Sequence, residues 1–243
     1  MNKLFTITVP NHFFCWMSAG AMLFLVGCTP PVTIEQPTAG DQTQPVRTFT
    51  VRFDKDYKPG TFHADLSGMT ITSLFQPAPK PGNVSTASIP YPPFFMDYDY
   101  VNNVNGSGRP NEQLLRVSGE STSNGSCCDS VKFIPPDIRI YRGGGTSVTY
   151  NPNLTLKERE TITATVFVKT VPQEALTVRV TGHPNVSLNE QPAGQDITLV
   201  IPSNDRRLDF TIRGIVVSGE IFHIRGIADG HASSAARGLV QAK

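Results

Sequence analysis

Apolar residues return at every second position along much of this chain, a rhythm that admits strands with one buried face and little else. Phe49, Val51 and Phe53 alternate with Thr50 and Arg52. Phe62, Ala64 and Leu66 make a second apolar row, Ser67-Gly68 turns the chain, and Met69, Ile71, Ser73 and Phe75 come back on one face. The returning strand stops at Gln76-Pro77-Ala78-Pro79-Lys80-Pro81-Gly82, because proline has no donor for a sheet ladder. Strand candidates then thin out until Leu114 to Val117.

From about Pro135 the rhythm is denser. Ile138 and Ile140 begin it, and Ile162, Ala164, Val166 and Val168 alternate with Thr161, Thr163, Thr165 and Phe167. Leu176, Val178 and Val180 follow, then Ile197 to Ile201, then Leu208, Phe210 and Ile212, then Ile221 to Ile227, and finally Leu239 and Val240. Turn pairs separate them at Thr181-Gly182, Ala193-Gly194, Ser203-Asn204, Ser218-Gly219 and Asp229-Gly230. Roughly seven short strands in about 100 residues predict a β-sandwich. This succession resembles the immunoglobulin-like domains of bacterial surface proteins over residues 135–243. It lacks the core cysteine pair and tryptophan of antibody domains, so the general sandwich is what the resemblance implies. The expected fold class is therefore all-β, with two small antiparallel β-sandwich modules. They cover residues 49–134, with a long irregular aromatic loop, and residues 135–243, immunoglobulin-like. Whether 49–134 is a second immunoglobulin-like domain is open at this level.

Ahead of both modules lies a leader. Its apolar stretch from Phe13 to Gly27 is about fifteen residues, short of the roughly 20 that span a bilayer. Lys3 supplies a sparse positive start, and the stretch ends in Leu25-Val26-Gly27-Cys28. Those four residues resemble the lipobox of bacterial lipoprotein signal peptides. The resemblance implies that residues 1–27 are a cleaved signal peptide and that the Cys28 thiol and the new amino end are acylated. Three acyl chains exceed the two lipid signals that stable anchoring needs. Thr29, where an aspartate would resemble an inner-membrane retention signal, favours the outer membrane. The expected location is thus extracytoplasmic, on the cell envelope, with the membrane itself as one partner. Residues 28–48, carrying Pro30, Pro31, Pro37 and Pro45 among Thr, Gln, Gly and Asp, predict a lipidated, disordered tether. Fully extended, it would lift the folded part about 60 Å from the lipid.

Cleavage would remove Lys3 alone among the charged groups, leaving 20 basic residues against 20 acidic ones. A nucleic-acid partner requires a basic excess or stripe, and nothing longer than Arg206-Arg207 is present, so that class is excluded. The sole tryptophan, Trp16, leaves with the leader.

Tyr91-Pro92-Pro93-Phe94-Phe95-Met96-Asp97-Tyr98-Asp99-Tyr100 interleaves rings with carboxylates. Tyr91, Phe94, Phe95, Tyr98 and Tyr100 can cap the end of a sandwich or form a glycan-stacking platform. As a metal site the segment fails, since two aspartates fall short of the six to eight oxygens calcium takes. No metal and no cofactor is expected.

Cys127-Cys128 are the two thiols left to an exported chain once Cys15 is removed and Cys28 acylated. Their Cα atoms, about 3.8 Å apart across a trans peptide, lie below the usual span of roughly 4.4–6.8 Å for a bridge. A strained local disulfide, a disulfide to another chain, and a free thiol pair able to hold a soft metal all stay open. Catalysis has no legible setting: His63, His183, His223 and His231 occur in none of the metal or hydrolase motifs. His223, between Phe222 and Ile224, is expected to face outward. Asp229, His231 and Ser233 suggest a triad, but Asp-Gly is more simply a turn. No catalytic residue is expected. Two functions follow: a non-catalytic structural or protein-interaction lipoprotein of the envelope with an envelope or surface protein partner, or a glycan-binding accessory lipoprotein that uses the aromatic loop.

Overall fold

The computed structural model describes residues 29–67, 69–71, 79–89, 112–123, 125–143, 153–233 and 235–243. Among them every regular element is a strand, and the described residues fall into two compact units. Of the described residues, the first comprises 29–38, 48–67, 69–71, 79–88, 114–123 and 125–132, and the second comprises 39–47, 89, 112–113, 133–143, 153–233 and 235–243. The fold is all-β, as two antiparallel sandwiches.

In chain order the strands of the N-terminal half are β1 (Val32–Gln36), β2 (Gly40–Asp41), β3 (Thr48–Phe53), β4 (His63–Leu66), β5 (Met69–Thr70), β6 (Val84–Ser88), β7 (Gln113–Ser121) and β8 (Gly125–Ile134). β3 is central to a sheet ordered β1-β3-β6, with both neighbours antiparallel. Facing it, β7 pairs with β4, and β4 with β5 across the Ser67 turn, where φ is +50°. The alternation read from the sequence is the inward face: Phe49, Val51 and Phe53 are buried against Phe62, Ala64, Leu66, Ile71, Leu115 and Val117. Phe53 is the hub, its ring tilted on Tyr57 at 4.8 Å and edge-on to Phe62 at 5.2 Å.

Residues 29–48 are not a disordered tether. Pro31 accepts from the Asp54 amide at 2.9 Å, β1 pairs with β3 from Val32↔Phe53 onward, and Val32 is fully buried. Its prolines stand just before or just after β1 or in the loop to β3, where no ladder donor is needed. Further along, β2 runs parallel to β8 through Gly40↔Phe133 and Asp41↔Ile134, so Ala39–Arg47 belongs to the second unit. Composition predicted disorder because the segment buries few side chains of its own; its order comes from backbone pairing on strands already present.

The second half adds β9 (Asp137–Arg142), β10 (Leu156–Lys157), β11 (Thr161–Val168), β12 (Leu176–Val180), β13 (Val186–Leu188), β14 (Ile197–Ile201), β15 (Arg207–Gly214), β16 (Phe222–Ile227), β17 (Ala232–Ser233), β18 (Ala235–Gly238) and β19 (Val240–Gln241). One sheet is ordered β13-β15-β11-β9-β17 and the other β14-β12-β16-β18, while β10 pairs parallel with β19. This is an immunoglobulin-like sandwich. Ile138, Ala164, Val166, Val178, Ile212 and Ile224 interdigitate in its core. His223 is exposed between buried Phe222 and Ile224, as the alternation predicts.

Candidate functional site

The predicted site residues fall into three groups. Leu25, Val26, Gly27 and Cys28 lie outside the described residues, and so do Tyr91, Phe94, Phe95, Tyr98 and Tyr100. Cys127 and Cys128 lie within β8, half-buried, and both are disulfide-bonded, so the free-thiol state is not the one seen. No group of three His, Cys, Asp or Glu side chains that could hold a metal occurs among the described residues.

The triad suggested by Asp229, His231 and Ser233 is not assembled. His231, 6% exposed, donates from Nδ1 to the Asp229 carbonyl at 2.8 Å, and the Asp229 carboxylate instead meets the Arg47 guanidinium at 3.1 Å. A main-chain carbonyl can only accept, so the proton is on Nδ1 and Nε2 is bare in the neutral ring. Asp137, buried beside it at the β9–β17 rung, is engaged by Arg139 at 2.5 Å. These groups form a clasp: the Val46 amide donates to the Gly230 carbonyl at 2.9 Å, directly over the buried histidine's turn.

Burial holds the His231 imidazole below its ordinary pKa, with Arg47 acting in the same direction; the Asp229 carbonyl and the Asp229 and Asp137 charges oppose the shift. The unfolded ring protonates near 6.5 while the folded ring resists, so the unfolded state binds more protons as pH falls through that value. Stability of the second unit should therefore be flat above about pH 7 and decline toward about pH 5. Urea midpoints across that range test this, and His231→Gln should flatten the slope. A slope unchanged in the variant would remove His231 as its source.

What the structure brings together, and the periodicity did not single out, is an aliphatic tip. Among the described residues six large apolar side chains are exposed, and four of them lie in the loop between β15 and β16: Ile215 at 40%, Val216 at 48%, Val217 at 46% and Ile221 at 53%. The loop is held at its base. Gly214 is fixed on both sides, its amide donating to the Glu160 carbonyl at 3.0 Å and its carbonyl accepting from the Arg159 amide at 2.9 Å, and the amides of Ile215 and Val216 both donate to the Asn185 carbonyl at 2.9 and 3.2 Å. Asn185 is in turn buried, its own amide donating to His183 Nδ1 at 3.2 Å, and the His183 ring lies 6.0 Å from that of Phe222. At the far end the Ser218 hydroxyl accepts from the Glu220 amide at 3.0 Å and closes the turn. The backbone is thus positioned by core-facing groups while the side chains face water. Concentrated exposed apolar surface of this kind marks a place where another surface docks. The signal in the sequence was Ile215-Val216-Val217, a run without alternation next to Ser218-Gly219.

The second available surface is the edge strand β14, whose outward Val200 is half exposed. An edge of this type presents unpaired backbone groups to an added strand.

No protein-family model matches the chain. No curated protein matches it either. Among solved structures the chain is similar to one of a 1.5-MDa bacterial ice-binding adhesin described for host cell surface retention, at TM-score 0.26 and 12% identity, over 89% of this chain and 66% of that one. It is also similar to the C-terminal domain of the Streptococcus agalactiae AgI/II polypeptide BspA, at TM-score 0.29 and 11% identity over 86% of this chain and 100% of the other. A third likeness is to the C-terminal domain of the Streptococcus pyogenes antigen I/II-family protein AspA, at TM-score 0.25 and 9% identity over 87% and 99%.

Proposed function

We propose that this chain is a non-catalytic interaction module of the bacterial envelope, carried on the outer membrane by a lipid on Cys28 and presenting the 215–221 tip of its C-terminal sandwich to a protein partner. The observation that carries the reading is the concentration of exposed aliphatic side chains on a loop whose backbone is pinned at both ends. Rigid placement lowers the entropy lost on docking, and β-branched side chains lose little rotamer freedom when buried. Anchoring is supported by the Leu25-Val26-Gly27-Cys28 motif and the short apolar run before it.

Crosslinking on intact cells, followed by mass spectrometry of the captured material, tests the tip. Val216→Asp combined with Val217→Asp should abolish capture of a defined partner while shifting stability by less than about 0.5 kcal/mol, since both side chains are exposed. Undiminished capture would remove the tip as the contact. Anchoring is tested separately: Cys28→Ser should move the protein from the membrane to the soluble fraction, and an unchanged distribution would remove the lipid anchor.

A further inference from the structure

We propose that the end of the first module bearing Val84, Lys55 and Lys80 rests on the bilayer surface, with the acyl and phosphate layer around the Cys28 anchor as its partner. This rests on the anchoring proposed above and adds to it which face of the module meets lipid.

The β1-β3-β6 sheet levels three chain segments at one end. Val32 opposes Phe53 and Arg52 opposes Val84, so the start of β1, the end of β3 and the start of β6 lie side by side. Main-chain bonds lock that end: Asp54 N to Pro31 O at 2.9 Å, Phe53 N to Asn83 O at 2.8 Å, and Gly82 N to Phe53 O at 2.9 Å. Pro31, only three residues after Cys28, is therefore tied to the end of the sheet. Three residues reach at most about 10 Å when fully extended. With acyl chains on Cys28 buried in the membrane, this end of the module cannot leave the headgroup layer.

Its side chains suit that layer. Val84 is 52% exposed at the start of the strand. Lys55 and Lys80 are exposed and take part in no ion pair among the described residues. The Lys55 stem lies over the turn, with its Cγ 3.9 Å from where a Gly82 Cβ would be. Of the acidic groups nearby, Asp54 is half-buried, and the Asp56 carboxylate accepts from the Ser121 and Ser123 hydroxyls. An aliphatic side chain flanked by two ammonium groups on flexible stems matches the boundary between acyl chains and anionic headgroups.

The test exploits the absence of tryptophan after Trp16 is cleaved away. Val84 and Ser88 share the outward face of β6, about 13 Å apart along the strand. The intact lipoprotein carrying V84W or S88W is reconstituted into phosphatidylethanolamine–phosphatidylglycerol vesicles with brominated acyl chains, which quench indole only at close range. V84W should be quenched several-fold more than S88W, and adding Lys55→Glu with Lys80→Glu should shrink the difference. If V84W folds poorly, Asn83→Trp takes its place. Equal quenching at the two positions overturns the proposal. The intact mass of the same preparation separates the two possible failures: acylated protein with equal quenching rejects this face alone, whereas protein lacking lipid on Cys28 rejects the anchor and this face with it.

Discussion

Phe53→Ala is expected to cost the first module about 4 kcal/mol, within the range for emptying a buried phenylalanine site. The ring is fully buried and contacts both Tyr57 and Phe62, so its loss removes transfer energy, two aromatic contacts and the support of the facing sheet at once. The cavity cannot close easily, because β3 is held on both sides by β1 and β6. Set against a total stability of roughly 5–15 kcal/mol, a loss of this size leaves the module marginal. Urea unfolding followed by circular dichroism would measure it, with the outward Arg52→Ala as reference. A loss below about 1 kcal/mol would mean that Phe53 is not the hub of this core.

Gly230→Ala should be nearly as damaging in the second unit, at about 3 kcal/mol, from two additive causes. The residue has φ of +71°, which costs an L side chain roughly 1 kcal/mol or more. The new Cβ would also come within 2.8 Å of Pro45 Cβ and of the Val46 amide nitrogen, an overpacking worth about 1–3 kcal/mol. The Val46-to-Gly230 hydrogen bond and the Arg47–Asp229 pair stand at the same point, so the strap over His231 should loosen first. Limited trypsin digestion, cutting after Arg47, would report that loosening alongside the urea midpoint. Gly219→Ala is the control, since nothing lies within 4 Å of its Cβ position. Equal behaviour of the two variants would show that the strap does not depend on Gly230.

The sequence and the structure agree wherever a strand buries one whole face. β3, β11, β12 and β14 alternate strictly between buried and outward residues, and their apolar spacing is legible without coordinates. They part wherever a strand buries little. β6 buries only Ala87, β1 fully buries only Val32, and β8 fully buries only Phe133. Such strands owe their place to hydrogen bonds with a neighbour's backbone, and backbone pairing leaves almost no trace in side-chain type. The exposure of the aliphatic tip was hidden for a related reason. Ile215-Val216-Val217 reads as buried material, and only its position beyond the end of β15 turns those side chains into water. The histidine turn was readable as a turn from Asp229-Gly230, but not its depth, because the residues that cover it come from nearly two hundred positions earlier in the chain.

That separation sets a schedule for synthesis. Ala39–Arg47 is made long before its partners at Gly230 and Asp229. At roughly 5–20 residues per second, the Val46–Arg47 end of the strap waits roughly ten to forty seconds for Gly230 and Asp229, while its other end finds Phe133 and Ile134 well before that. A long apolar segment left open for that time would recruit a wrong strand. This one is short, charged at Asp41 and Arg47 and interrupted by Pro45, features that keep an unpaired edge from templating association. Its polar composition, which reads as a spacer, is what a late-closing piece of a sandwich requires.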